Sequence, residues 1–236
     1  MKKFFTTTGK ALTFFLGWAI LTGLMPFPDF SNGAVWRFWA ELIPLLSAAG
    51  FTLLFWLPER RKLTLPLCSA PLKSAKIGFA AGVLWLGIAA GVLLLTGTMH
   101  ITGYQQVPLL GLWILSALLN TIMQELLIRG YLYQLIKAQY STAAAATMSL
   151  LMGLVLEYTQ SLLAPTVMHF LWNCIGGILL GGVSLAEDYP QLYRTEFTGP
   201  VLLSGGAPKM EGSIVVFLLN LLLIAVFAAL LKKRKQ

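Results

Sequence analysis

Charged residues are scarce in this sequence. Aspartate, glutamate, lysine and arginine together make up 11% of the 236 residues, against roughly 25% in soluble domains. Hydrophobic residues make up 57%, so few polar side chains remain to cover a surface that faces water. This composition excludes an ordinary soluble domain and indicates a chain that lies in lipid.

Cysteine and histidine are also scarce, with two residues of each. Cys68 and Cys174 lie far apart and form no CxxC pair, so we expect free thiols and no disulfide framework. Two histidines, one of them (His100) in a connector without acidic neighbours, give poor support for a zinc site. Walker, dinucleotide-binding and GxSxG patterns are absent as well. The sequence therefore predicts neither a metal nor a cofactor.

Long apolar runs are abundant, and several approach or exceed the roughly 18–20 residues that cross a bilayer as a helix. Only helices and closed barrels satisfy their backbone hydrogen bonds in lipid, and no barrel-like alternation is present. We therefore predict an all-α fold, a polytopic membrane helix bundle of about seven apolar segments, as a single membrane domain over residues 1–236. The candidate spans are Lys10–Phe27, Trp36–Leu57, Ile77–Gly97, Pro108–Ile128, Ala143–Leu163, Pro165–Gly182 and Ser213–Leu231.

Lysine and arginine predict the orientation of the bundle, because cytoplasmic loops carry an excess of them. Much of the net charge of +8 lies in Met1–Lys10, Pro58–Lys76 and Lys232–Lys235, so it is interpreted as a topology signal. The N-terminus and the second connector are expected in the cytoplasm. Seven crossings would then place the basic C-terminal tail outside, whereas an even number would satisfy both ends. The weakest candidate is Ala143–Leu163, which contains Glu157.

Two ionisable residues stand out in the fourth span, Glu125 and Arg129, with Gln124 beside them. An i, i+4 spacing places both charges on one helix face, within reach of a salt bridge. Charged side chains are costly in lipid, and they usually face a bundle interior and mark a functional site. Glu125 is therefore a candidate general base. A structural ion pair that holds one helix against its neighbours is the alternative.

A second polar pair, His169 and Asn173, lies in the sixth span and is also four residues apart on one helix face. An imidazole and an amide in this arrangement can donate hydrogen bonds to a developing oxyanion. Such pairs also hold membrane helices together, and that structural role is the alternative. Glu157 is interpreted as an interfacial residue, and so is the Arg37–Glu41 pair near the start of the second span.

Taken together, the two pairs resemble motifs of the CPBP (Abi) family of intramembrane proteases, which includes the CAAX prenyl endopeptidase. The stretch Glu125–Tyr133, with Arg129, is similar to a first motif of two glutamates, three residues and an arginine. Ser161–Asn173 is similar to the last motif, a histidine with an asparagine four residues later. Ser204–Ser213 is similar to a segment that precedes the last span in many bacterial members. The family-like core covers residues 115–213.

The resemblance implies a role for each matched residue. In the family, the first glutamate and a histidine of a middle motif activate water, while the last histidine and asparagine hold the oxyanion. Gln124 stands where the first glutamate is expected, and no histidine lies between Arg129 and His169. Glu125 would therefore have to activate water, with His169 and Asn173 as oxyanion donors and with Gln124 and Arg129 in support.

The path of Ala143–Leu163 decides whether the two pairs can act together. If this segment crosses the bilayer, His169 and Glu125 lie near opposite faces, roughly 15–20 Å apart at 1.5 Å per residue. If it dips into the bilayer and returns, the two pairs can meet and the number of crossings becomes even. The sequence leaves both arrangements open.

Three functions are compatible with these residues. The first is an intramembrane endopeptidase of the CPBP/CAAX-protease type that cleaves peptides near the cytoplasmic membrane face. The second is a catalytically impaired pseudoprotease that acts as a membrane binding or immunity partner, because Gln124 is an amide and the middle histidine is missing. The third is a small proton-coupled transporter with Glu125 as the relay. The expected partners are membrane lipid and a peptide or membrane-protein substrate, without nucleic acid, in a bacterial plasma (inner) membrane.

Overall fold

The computed structural model describes residues 2–234, and most of them are helical. This confirms the predicted all-α membrane bundle. Five of the described helices are long and apolar enough to cross a membrane, and two more are shorter apolar helices. The helices are α1 (Lys2–Leu24), α2 (Gly33–Glu59), α3 (Pro71–Leu95), α4 (Leu110–Gln139), α5 (Thr142–Ala146), α6 (Leu150–Thr159), α7 (Leu163–Leu179), α8 (Val201–Ser204) and α9 (Ile214–Arg234); the strands are β1 (Met99–Tyr104) and β2 (Tyr193–Phe197).

Local sequence signals set the starts of two long helices. Asn32 caps α2, because its side-chain oxygen accepts hydrogen bonds from the amides of Ala34 and Val35 at 3.0 and 3.2 Å. Pro71 occupies the first turn of α3, where a missing N–H costs little. Both helices therefore begin a few residues before the apolar runs that predicted them.

One end of the bundle gathers several basic residues, and we call it the basic end. Lys10 of α1 pairs with Glu59 at the end of α2. Lys137, near the end of α4, donates to both carboxylate oxygens of Glu157 at 2.6 and 2.8 Å. Arg234, at the end of α9, donates to a backbone carbonyl of α6. Both ends of the described chain therefore lie on the same side of the bundle.

The opposite end carries a small antiparallel sheet, and we call it the sheet end. Helix α3 leads there from the basic end, because 25 residues at 1.5 Å per residue rise by about 37 Å. β1 pairs with β2, with an irregularity in the register between Ile101 and Gly103. His100 lies in β1 and hydrogen-bonds to the Thr198 hydroxyl at 3.2 Å. The connector between α7 and β2 also lies at this end.

The segment Ala143–Leu163, the weakest of the candidate spans, takes the second of the two paths that the sequence left open. The segment forms α5 and α6, a re-entrant hairpin that leaves the basic end and returns to it. The helix breaks around Thr147–Ser149, where the hydroxyl of Ser149 binds Arg129 and does not cap α6. With 5 and 10 residues, α5 and α6 are too short to cross. Among the described residues, six helices run from one end of the bundle to the other, namely α1, α2, α3, α4, α7 and α9. This even number accounts for two basic chain ends on one side.

Close packing against α3 sets the position of α7. A Cβ atom on Gly78 would lie 2.2 Å from the carbonyl oxygen of Ala164, so the two backbones are in direct contact there. Further along the same interface, the rings of Trp85 and Trp172 stack with their centroids 3.9 Å apart. These contacts hold one face of α7 against α3 and leave another face for α4.

Candidate active site

Glu125 lies at the junction of α4 and α7. Its side chain is 0% exposed, and its Oε1 accepts a hydrogen bond from Arg129 Nη1 at 2.5 Å. The same oxygen lies 2.8 Å from His169 Nδ1. The re-entrant path of α5 and α6 thus brings together the two polar pairs that the sequence singled out, and of the two arrangements left open the structure has the one in which they meet.

Arg129 connects this junction to the re-entrant hairpin. It is 7% exposed, and its Nη2 donates to the hydroxyl of Ser149, the residue that precedes α6. The guanidinium therefore lies between a carboxylate of its own helix and a hydroxyl from the hairpin. A buried charge needs such partners, because an unpaired one costs several kcal/mol in a low-dielectric interior.

His169 stands between Glu125 and an open cavity. An ionised carboxylate only accepts hydrogen bonds, so Nδ1 is the donor when it faces one. Nε2 has no hydrogen-bond partner among the described residues. Its side chain is 22% exposed and lines a cavity of about 350 Å³. Glu125 itself does not line this cavity, so the carboxylate holds the imidazole from behind.

The cavity has polar walls from several elements. Gln124 of α4 and the His169 and Asn173 side chains of α7 lie in its wall together with Glu41 of α2 and Glu211 of the short 3-10 turn before α9. The connector that follows α7, at the sheet end, also borders it. The cavity therefore opens from the middle of the bundle toward the sheet end, away from the basic end.

Asn173 is held in the cavity wall by a hydroxyl of α4. Its Nδ2 donates to Thr121 Oγ1 at 3.1 Å, and Thr121 in turn donates to the carbonyl of Ala117 at 2.8 Å. The amide group carries two N–H bonds and needs one of them for this contact. The second N–H has no partner in the part of the chain that the structure describes, so Asn173 can donate to a ligand in the cavity.

Gln124 begins a chain of side-chain hydrogen bonds toward the cavity mouth. It is exposed to the cavity, and its Nε2 donates to Asn120 Oδ1 at 2.7 Å. Asn120 Nδ2 donates in turn to Glu41 Oε2 at 2.6 Å. An amide cannot accept a proton as a general base, so Gln124 can contribute only hydrogen bonds to this cavity.

Glu41 belongs to the site, although the sequence suggested only an interfacial pair with Arg37. The pair itself is present at 3.0 Å, but Glu41 is 4% exposed and lines the cavity. The hydroxyl of Tyr189 donates to the same carboxylate at 3.3 Å. Burial and the nearby carboxylate raise the pKa of Tyr189 well above its usual range, so the phenol keeps its proton. Asp188 binds the other side of the guanidinium.

Sequence reasoning missed Glu41 and Glu211 as site residues. The signal for Glu41 was present, because Arg37 and Glu41 have the same i, i+4 spacing inside an apolar helix as Glu125 and Arg129. Glu211 lay inside a segment that resembled the family, but its single charge showed no local partner. Glu157, by contrast, pairs with Lys137 at the basic end and does not line the cavity. The described residues contain no group of three or more His, Cys, Asp or Glu side chains that could hold a metal.

A comparison with protein families supports the resemblance over one part of the site. The model of the type II CAAX prenyl endopeptidase (Rce1-like) family matches residues 139–175. This region contains the re-entrant hairpin and the part of α7 that carries His169 and Asn173, and it excludes Glu125 and Arg129. The match confirms, over this short region, the similarity to CAAX-type proteases. No curated protein and no solved structure matches the chain.

Proposed function

We propose that this multi-pass membrane protein is an intramembrane endopeptidase of the CAAX-protease type in which His169 activates water. The observation that carries the proposal is the contact between Glu125 Oε1 and His169 Nδ1 at 2.8 Å, on the wall of a polar cavity. A carboxylate behind an imidazole holds the tautomer whose other nitrogen accepts a proton, and it stabilises the imidazolium that forms.

The reaction follows from the positions of these groups. His169 Nε2 removes a proton from water, and the resulting hydroxide attacks the peptide carbonyl carbon. The free N–H of Asn173 donates to the oxyanion that develops on the carbonyl oxygen. The C–N bond then breaks, and His169 returns its proton to the leaving amine.

The proposal changes the role of one residue from that expected from the sequence. Glu125 was expected to activate water, but it does not line the cavity. We therefore assign it a positioning role, in which it orients His169 and is itself held by Arg129. His169 and Asn173 are the catalytic residues, and Gln124 orients the peptide or the water.

We also propose that the peptide enters from the sheet end. The sequence suggested cleavage near the cytoplasmic face, but the cavity opens away from the basic end. Since cytoplasmic loops are rich in Lys and Arg, the basic end is the cytoplasmic side. The peptide then enters from the opposite side and is cleaved at the depth of His169, in the middle of the bundle.

The test uses purified full-length protein in lipid nanodiscs with a set of fluorogenic apolar peptides. The wild type should cleave a subset of them, and His169→Ala should lower kcat/KM by about 10²–10⁴-fold, the usual contribution of a general base. Lys137→Gln, at the basic end, serves as the control for general effects on folding. Equal cleavage by wild type and His169→Ala would contradict the mechanism.

A pseudoprotease remains the second candidate, because an amide, Gln124, lines the cavity where the family has a carboxylate. In addition, His169 is the only imidazole among the described cavity-lining residues. Peptide binding without cleavage by the wild type would support this function. A Gln124→Glu variant that gains cleavage would then identify residue 124 as the reason for the loss.

A further inference from the structure

Glu211 differs from the other charged residues described in the cavity wall because it has no countercharge. Arg37 is bound by both Glu41 and Asp188, so its charge is already neutralised. Lys209, two residues before Glu211, donates its ammonium to the carbonyl of Gly181 at 2.8 Å and forms no ion pair. Among the residues that the structure describes, no cation pairs with Glu211, so the cavity presents one carboxylate without an ion-pair partner.

The carboxylate of Glu211 is held in place by a buried indole. Trp172 Nε1 donates to its Oε1 at 3.2 Å, while Oε2 has no partner among the described residues and the Glu211 side chain is exposed. Trp172 is 4% exposed and stacks on Trp85, so the hydrogen-bond donor cannot move far. One oxygen is thus used for positioning, and the other is available to a ligand.

The turn that carries Glu211 is also fixed. The side chain of Met210, directly before it, is fully buried, and its amide donates to the carbonyl of Gly182 at 3.1 Å. Gly205 has a φ of +78°, and a Cβ atom there would lie 1.6 Å from the carbonyl oxygen of Lys209. Because the segment closes this tightly on itself, little ordering is left to be done when a ligand binds.

Glu211 and His169 line the same cavity, of about 350 Å³. The partner of Glu211, Trp172, follows His169 by three residues on α7, which is about 4.5 Å along the helix axis. An extended peptide advances about 3.3–3.6 Å per residue. A peptide bound in this cavity with a carbonyl beside His169 therefore brings a side chain from a nearby position to Glu211.

From these observations we infer that Glu211 forms a subsite for a cationic side chain, lysine or arginine, next to the peptide bond beside His169. The inference rests on the proposed function, in that a peptide occupies the cavity. An ammonium or guanidinium would donate to the free Oε2 and neutralise the unbalanced carboxylate. An acidic side chain at the same peptide position would be repelled.

The test measures peptide binding and cleavage separately. The probes are Leu/Ala dodecapeptides that carry one lysine at successive positions, and a matched series with norleucine instead. Wild type should bind the best lysine peptide about tenfold or more tightly than its norleucine match, the usual size of a hydrogen bond to a charged group. Glu211→Gln should remove this difference, because its carbonyl still accepts from Trp172 while its charge is gone.

A control and two further outcomes keep the subsite distinct from the proposed function. Glu187→Gln removes an acidic residue of the neighbouring connector that does not line the cavity, and it should retain the preference for lysine. Equal binding of both series by wild type, or a preference that survives in Glu211→Gln, would overturn the subsite. A preference in binding without any cleavage would support the subsite and contradict the protease.

Discussion

The buried pair of Glu125 and Arg129 should dominate the stability of the site. We consider three variants, Glu125→Gln, Arg129→Met and the double variant. In Glu125→Gln the amide oxygen can still accept from Arg129, but the guanidinium, 7% exposed, loses its countercharge, and its Nε has no hydrogen-bond partner among the described residues. Breaking a buried pair in this way costs about 3–5 kcal/mol of unfolding free energy.

The loss of unfolding free energy in the double variant should be much smaller than the sum of the losses in the two single variants. With both charges removed, no unpaired ion remains in the interior, and replacing a buried pair by neutral groups is often nearly neutral. We therefore expect a coupling energy between Glu125 and Arg129 at the upper end of the usual range, about 2–3 kcal/mol. The double variant should nevertheless lose most of its cleavage activity, because no carboxylate is left to stabilise the imidazolium of His169.

The assay is unfolding in mixed micelles, with the fraction of denaturing detergent increased stepwise and tryptophan fluorescence as the signal. The matched control is the Lys137–Glu157 pair, whose side chains are 29% and 11% exposed at the basic end. Breaking that pair with Glu157→Gln should cost no more than about 1 kcal/mol. If the losses of unfolding free energy in Glu125→Gln and Arg129→Met add up to the loss in the double variant within about 0.5 kcal/mol, the two side chains are not coupled and the predicted buried ion pair is refuted.

Three further predictions concern the oxyanion donor, the α3–α7 contact and the topology. Asn173→Ala should lower kcat about 10²–10³-fold, and its unfolding free energy should fall by about 1 kcal/mol. An unchanged kcat in the peptide assay would exclude Asn173 as an oxyanion donor. Gly78→Ala should lower the unfolding free energy by about 1–3 kcal/mol through overpacking. Gly87→Ala on the same helix is the control, because its new Cβ meets nothing within 4 Å, and it should be neutral or stabilising. Equal unfolding free energies of the two variants would contradict the α3–α7 contact. Cys68, exposed near the basic end while Cys174 is buried, should react with an impermeant maleimide in inside-out vesicles and not in intact cells; the reverse labelling would invert the topology.

Much of the candidate site could be predicted because it rests on local helix geometry. The rise and turn of a helix place residues four apart on one face, so the pairs Glu125–Arg129 and His169–Asn173 were visible in the sequence. The same rule applied to Arg37 and Glu41, but their position near a helix end suggested an interfacial pair. Burial of that pair depends on Asn120 and on the connector at Tyr189, far apart in the chain.

The path of the chain between the two pairs could not be predicted in this way. Residues 143–163 are apolar and long enough for a span, and their hydropathy does not distinguish a crossing from a hairpin. The break at Ser149 depends on its contact with Arg129, twenty residues earlier. Hydropathy does not contain such a contact, so the sequence left the crossing and the re-entrant path open.

The sequence by itself determined the class of this protein, the approximate spans, the excess of basic charge at both chain ends and the identity of the two polar pairs, because composition and helix periodicity are local properties. Tertiary structure alone decided that α5 and α6 turn back, that Glu125 supports His169 from behind, and that Glu41 and Glu211 complete the cavity. These features depend on which helices pack together, and packing joins residues that are distant in the chain.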